Sequence, residues 1–258
     1  MCGIAGVYKF PKGGVPDYEL PLKKMLSVIH HRGPDETGLY LGEDVALGSV
    51  RLSIVDLSSG QQPVSDSSGN YWVVYNGEVF NYPELRKHLE EKGVVFSTHS
   101  DTEVVVQMYA AYGSECLKFF NGQFAFAIWD KIKQELFLAR DRVGIRPLYY
   151  YSSGESFAFC SEIKGIFTLD GINKEIDPES IAQIFTFWTT LSPQTPFKGI
   201  YELPPGHFMH VKNGSVRIQK YWQLKFPHAK QHDSVDFSSK VSELNELLTD
   251  AVKIRLRL

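Results

Sequence analysis

With 258 residues, 43% hydrophobic and 13% aromatic, the chain carries enough apolar side chains for one large domain or two small ones. Its 27 basic and 30 acidic residues are interspersed to a net charge of -3, which excludes the basic stripe that nucleic-acid binding requires. Three cysteines without CxxC spacing exclude a disulfide framework and a zinc site, and no stretch reads as a secretion signal or a membrane span, so the expectation is a soluble cytoplasmic protein.

In chain order, GIAGVYKF at 3–10 is strand-length and rich in β-branched and aromatic residues. Leu22, Met25, Leu26 and Ile29 recur at helical spacing. YWVVYN at 71–76 predicts a second strand, and Asn81 before Pro83 and Glu84 predicts an N-cap opening a helix through Leu85 and Leu89 to Gly93. Ser100 and Glu103 stand at capping-box spacing ahead of Val105, Met108 and Tyr112, with Gly113 as the stop. That places Asp101 in the first turn of a helix, where the dipole favours a carboxylate. QFAFAIWD at 123–130 and ELFLARD at 135–141, separated by a few polar residues, predict a hairpin and hence antiparallel sheet. Beyond Lys225 the periodicity fades into a linker, assigned to 223–240. Val241, Leu244, Leu248 and Val252 then mark an amphipathic helix running to Leu258. An apolar helical face with nothing after it to pack against predicts a chain that has been cut.

Cys2 is the first candidate for chemistry. Once Met1 is removed, the cysteine carries a free α-amine of pKa roughly 7.7–8.0 beside its own thiol, and the amine can act as general base for the sulfur. The alternative is a small core residue at a strand end, with Gly3 behind it letting a ligand or another backbone approach. In NGEVFN, the Asn76 amide and the Gly77 backbone N–H could aim two donors at a developing oxyanion, whereas the dipeptide by itself favours a hairpin turn. Arg51, Glu78 and Asp101 have the charges that a zwitterionic amino acid would need, and each read singly is a surface ion pair or a cap. His207 with His210, and His228 with His232, lack the geometry for metal ligation, and no Ser-His-Asp elbow, P-loop or GxGxxG occurs.

MCGIAGVY, HHRGPDETG, RLSIVDLSSGQQPV, VYNGEVFNYPELR, SDTEVVVQMY, NGQFAFAIWD and ARDRVGIRPLYY together resemble the class II glutamine amidotransferase domain, in particular the glutaminase half of asparagine synthetases. The likeness is dense to about residue 165 and continues more weakly to Trp222, so the domain is assigned to 2–222. The resemblance implies an α+β fold, the four-layer αββα sandwich of two antiparallel sheets found in N-terminal nucleophile hydrolases. It implies Cys2 as nucleophile, Asn76 and Gly77 as the oxyanion hole, Arg51, Glu78 and Asp101 around L-glutamine, and Leu52, Ile54 and Val55 as backbone and wall contacts. The glutaminase reaction would need neither metal nor cofactor; ATP and Mg would enter only with a C-terminal synthetase domain that receives the ammonia and whose pyrophosphate loop is missing here. Pairing as a homodimer is a further expectation. A non-catalytic module of the same fold and an amidotransferase with another acceptor are the alternatives.

Overall fold

The computed structural model describes residues 2–10, 18–53, 60–226 and 236–256. In chain order its elements are β1 (Gly3–Lys9), α1 (Glu19–Ile29), β2 (Glu36–Leu41), β3 (Val45–Arg51), β4 (Val64–Ser65), β5 (Tyr71–Val79), α2 (Tyr82–Glu90) and α3 (Asp101–Tyr112). There follow β6 (Gly122–Asp130), β7 (Glu135–Arg140), β8 (Tyr149–Ser152), β9 (Ser156–Cys160), α4 (Ile163–Ile166), α5 (Pro178–Phe187), β10 (Ile200–Glu202), β11 (His207–Lys212), β12 (Ser215–Lys220) and α6 (Phe237–Arg255). Among the described residues the strands form two six-stranded sheets, ordered β10-β8-β9-β1-β3-β2 and β12-β11-β7-β6-β5-β4. Neighbouring strands pair antiparallel, including the expected β6–β7 hairpin.

Strand alternation builds the layers. On β1, Ile4 and Tyr8 enter the core between the sheets, while Ala5 and Val7 face the outer cluster that holds Leu22, Met25, Leu26 and Ile29 of α1. On the other sheet, Val74 of β5 and Ala125, Ala127 and Trp129 of β6 point inward to the same inter-sheet core. Val73, Tyr75, Phe124, Phe126 and Ile128 point outward to α2 and α3. Helices therefore cover the outer face of each sheet, giving the α+β sandwich of four layers αββα.

Several local expectations are corrected. Asn76-Gly77 is no turn: both residues lie within β5, where they pair with Ala125 and Phe124. Asn81 occupies the N-cap position of α2 without capping it, because its side chain spans to the Phe119 oxygen and the Asn121 N–H. Ser100 caps α3 by accepting from the Thr102 N–H, but the capping box does not close. The Glu103 carboxylate instead accepts from the backbone of Ser97 and Thr98 and from the Thr98 hydroxyl. Helix α6 starts at Phe237 rather than 241, four residues inside the assigned linker, because Asp236 supplies its N-cap. The remaining linker residues 227–235, with His228 and His232, lie outside the described residues.

Candidate active site

The two sheets' inward-pointing residues define what lines their open edge. Cys2 precedes Ile4 by two positions on β1, and Asn76 and Glu78 follow Val74 by two and four positions on β5. Arg51 continues the register of Val45 and Leu47 on β3. A period of two thus turns all four toward the space between the sheets, beyond the end of the apolar core. There they line one cleft together with Leu52, Gln62, Tyr75, Gly77, Ser100, Asp101, Thr102 and Arg146.

Cys2 is half-buried and outside any disulfide, its thiol 3.8 Å from the Leu52 carbonyl oxygen. Its own carbonyl accepts from Arg32 Nε at 3.0 Å, and Arg32 is held in turn by Glu162, 3.0 Å from its Nη1. Gly3 is approached by side chains rather than by another backbone: a Cβ there would meet atoms of Val50 at 2.9 Å, Ile29 at 3.0 Å and Arg32 at 3.2 Å. The glycine is what lets β3, α1 and the turn after it pack closely against the strand that follows Cys2.

Asn76 is only 1% exposed, and among the described residues neither Nδ2 nor Oδ1 has a hydrogen-bond partner. A buried amide without partners costs about 1–3 kcal/mol, so its retention on a cleft wall points to a ligand that completes it. Gly77 stands beside it in the same strand, where a Cβ would lie 2.3 Å from the Gln123 oxygen and 2.7 Å from Phe124 Cα. Glycine is required here by the close approach of β6.

Charge in the cleft is arranged in both signs. Arg51 is 4% exposed and donates from Nη1 to Glu36 Oε2 at 2.9 Å. Asp101 accepts on Oδ2 from the Tyr75 hydroxyl at 2.8 Å and from the Val79 N–H at 3.1 Å. Burial nevertheless pushes its carboxyl up to about 6, with the like charge of Glu78 adding to the rise. Glu78 is also raised by burial, against the opposing fields of Arg146 and Arg255.

All the expected residues that the structure describes, Cys2, Arg51, Leu52, Asn76, Gly77, Glu78 and Asp101, meet in this cleft. Ile54 and Val55 lie outside the described residues. Sequence reasoning missed Arg32, Gln62, Tyr75 and Arg146. Gln62 accepts from the Tyr75 N–H at 2.7 Å and faces Thr102, tying β5 to α3. Arg146 reaches the cleft from a loop whose backbone N–H groups, including its own, donate to the Asp141 carboxylate. These residues stand inside or next to the quoted motifs, but their spacing carries no signal of convergence. His207 and His210 bond to the Pro205 oxygen and to Glu135, and among the described residues no cluster of three or more His, Cys, Asp or Glu is placed to hold a metal ion. Nor is any described helix long and apolar enough to cross a membrane.

The four-layer αββα sandwich of two antiparallel sheets, with a cysteine at the head of an inner strand opening on a cleft between them, is the fold of N-terminal nucleophile hydrolases. The chain belongs to the class II glutamine amidotransferase domain family, whose model, described as a glutamine amidotransferase domain, matches residues 1–222. It is similar to "Asparagine synthetase [glutamine-hydrolyzing] 1" of Bacillus subtilis, at 36% identity over 100% of this chain and 40% of the relative. "Amidase chry2" of Gibberella zeae is 34% identical over 100% of this chain and 39% of its own length. The chain thus spans about two-fifths of these relatives. The glutamine phosphoribosylpyrophosphate amidotransferase of B. subtilis has the same fold, with a TM-score of 0.64 at 20% identity over 86% of this chain and 50% of that one.

Proposed function

We propose that the domain hydrolyses L-glutamine to L-glutamate and ammonia through a γ-glutamyl thioester on Cys2. The observation that carries this reading is the buried, partnerless Asn76 amide on the wall of the cleft that Cys2 opens into. With Met1 removed, the α-amine of Cys2 takes the thiol proton as the sulfur attacks the carboxamide carbon. The Asn76 Nδ2–H and the Gly77 N–H hold the tetrahedral oxyanion, and the ammonium formed on the amine returns its proton to the departing ammonia. Water then cleaves the thioester by the same route in reverse. Arg51 binds the substrate α-carboxylate, Glu78 and Asp101 hold its α-ammonium and chain, and Leu52 contributes backbone and wall contacts.

In this reading residues 2–222 form the glutaminase domain, and the segment after it leads into α6, the first helix of a synthetase domain. The names of the B. subtilis relatives support a role as the glutaminase part of an ATP-dependent asparagine synthetase, in which a C-terminal domain uses ATP and Mg and receives the ammonia. The glutaminase step itself needs no cofactor. Ammonia release from glutamine by the whole chain, measured beside Cys2→Ala, tests the reading. Loss of release in the variant, with a γ-glutamyl adduct on the wild-type intact mass, is expected; equal release from both overturns it.

A further inference from the structure

Helix α6 is exposed along nearly all its described length, and only Ala251 and Ile254 are half-buried. Its last turn meets the sandwich beside the cleft. The Arg255 guanidinium lies over the Phe80 ring, 4.6 Å from the centroid, and Phe80 is itself only 4% exposed. Phe80 is two residues beyond Glu78, at the point where β5 leaves the sheet. A cation stacked on that ring is anchored by the aromatic face while its charge stays near the strand end.

Glu78 makes no hydrogen bond or ion pair among the described residues, although it lines the cleft with Cys2 and Asn76. Charges reach it from several elements. Arg146 comes from the β7–β8 loop, Asp101 from α3, Arg255 from α6 and the Tyr75 hydroxyl from β5, while Cys2 and Arg51 share the cleft from β1 and β3. Among these, Arg255 is the group that belongs to no part of the sandwich.

We propose that Arg255 is a positioning residue for substrate recognition: docked on Phe80, it sets the field at the Glu78 carboxylate from outside the cleft and so ties the seating of α6 to capture of glutamine's α-ammonium. This rests on the glutaminase reading above. An added cation near a half-buried carboxylate favours its ionised form, in keeping with the opposition that Arg255 offers to the rise of Glu78. Removing the cation lets the coupled Glu78–Asp101 pair take up a proton at higher pH, and an ammonium then finds a neutral partner. Displacing α6 would have the same effect as removing the side chain.

The test is the pH profile of kcat/KM for glutamine in the whole chain, for wild type, Arg255→Gln and Arg255→Lys. Arg255→Gln is expected to move the acid limb up by roughly half a pH unit, the scale of one partly solvated charge. Near about pH 5.5 that is a loss of about 2–3-fold, concentrated in KM, with the profiles converging at about pH 8. Arg255→Lys should keep the wild-type limb. Superimposable profiles, a loss equal at every pH, or the same shift in Arg255→Lys overturns the proposal. Glutamine binding by Cys2→Ala and by Cys2→Ala/Arg255→Gln, measured calorimetrically at the same two pH values, separates this inference from the glutaminase reading because it needs no turnover. An acid-limb shift in binding supports a role for Arg255 even where ammonia release fails. Binding that is absent, or unchanged by the second substitution, overturns it.

Discussion

Arg32 holds Cys2 by its main chain: Nε donates to the Cys2 carbonyl oxygen at 3.0 Å, while Nη1 donates to Glu162 Oε1 at 3.0 Å. Glu162 also bonds to His31 and Lys164, and against the effect of burial its hydrogen bonds to Arg32, Lys164 and His31 keep its carboxyl below its ordinary range. In the proposed mechanism Cys2 presents both thiol and amine, and Arg32 fixes the backbone that carries them. Arg32→Gln removes a charge-assisted hydrogen bond of about 1.5–3 kcal/mol, so kcat should fall by about 10–100-fold with a smaller change in KM. Glu162→Gln, which only loosens Arg32, should cost less. Steady-state ammonia release from the two variants checks the order.

The partnerless Asn76 amide makes a different prediction. Asn76→Ala should lower kcat by about 10²–10³ while leaving glutamine binding nearly intact, because in the proposed mechanism the amide's contribution is made to the oxyanion. Its thermal stability should change little or rise, since a buried amide with no partners is lost. Ammonia release and thermal denaturation of the same preparation check both halves.

Gly77→Ala should damage the fold as well as the chemistry. The new methyl would press on the Gln123 oxygen and Phe124 Cα, backbone atoms of β6 that cannot rotate aside. The expected cost is about 1–3 kcal/mol, and Tm should fall by about 2–4 °C per kcal/mol in a domain of this size. Thermal unfolding followed by circular dichroism measures it.

Asp101 links function to pH. Its carboxyl titrates at about 6 in the folded protein against an ordinary 3.8, so the folded state holds the proton more tightly than the unfolded chain. Stability from this group is therefore full below the unfolded value and is lost as pH rises through the folded one, by on the order of 3 kcal/mol. Asp101→Asn, which can still accept from Tyr75 and Val79, should raise Tm at neutral pH, have little effect under acid conditions and abolish glutamine binding. Melting curves across that pH range, with calorimetric titration of glutamine, check all three.

Much of the fold was legible wherever one face of an element met the core. α1 shows its buried Leu22, Met25, Leu26 and Ile29 at helical spacing, and the β6–β7 hairpin carries two apolar runs around a polar connection. Strands β2 to β4 and β8 to β12 carry no such signal; several are short, or edge strands with half-exposed patterns that resemble loops. The Asn-Gly dipeptide misleads because its turn preference is local, while pairing of Gly77 with Phe124 is decided by a strand 47 positions away.

By itself the sequence determined the chemistry available: a thiol next to the amino terminus, an Asn-Gly pair, and an arginine with carboxylates suited to a zwitterion, in motifs dense enough to indicate the family. Only the tertiary structure decided that these groups share one cleft. The physical reason is alternation across two facing sheets, which turns Cys2, Arg51, Asn76 and Glu78 inward from strands far apart in the chain, beyond the point where apolar side chains stop filling the gap. Burial then supplied what spacing does not encode: an amide left without partners, an aspartate raised toward neutrality by desolvation, and an arginine clamp on the cysteine's own backbone.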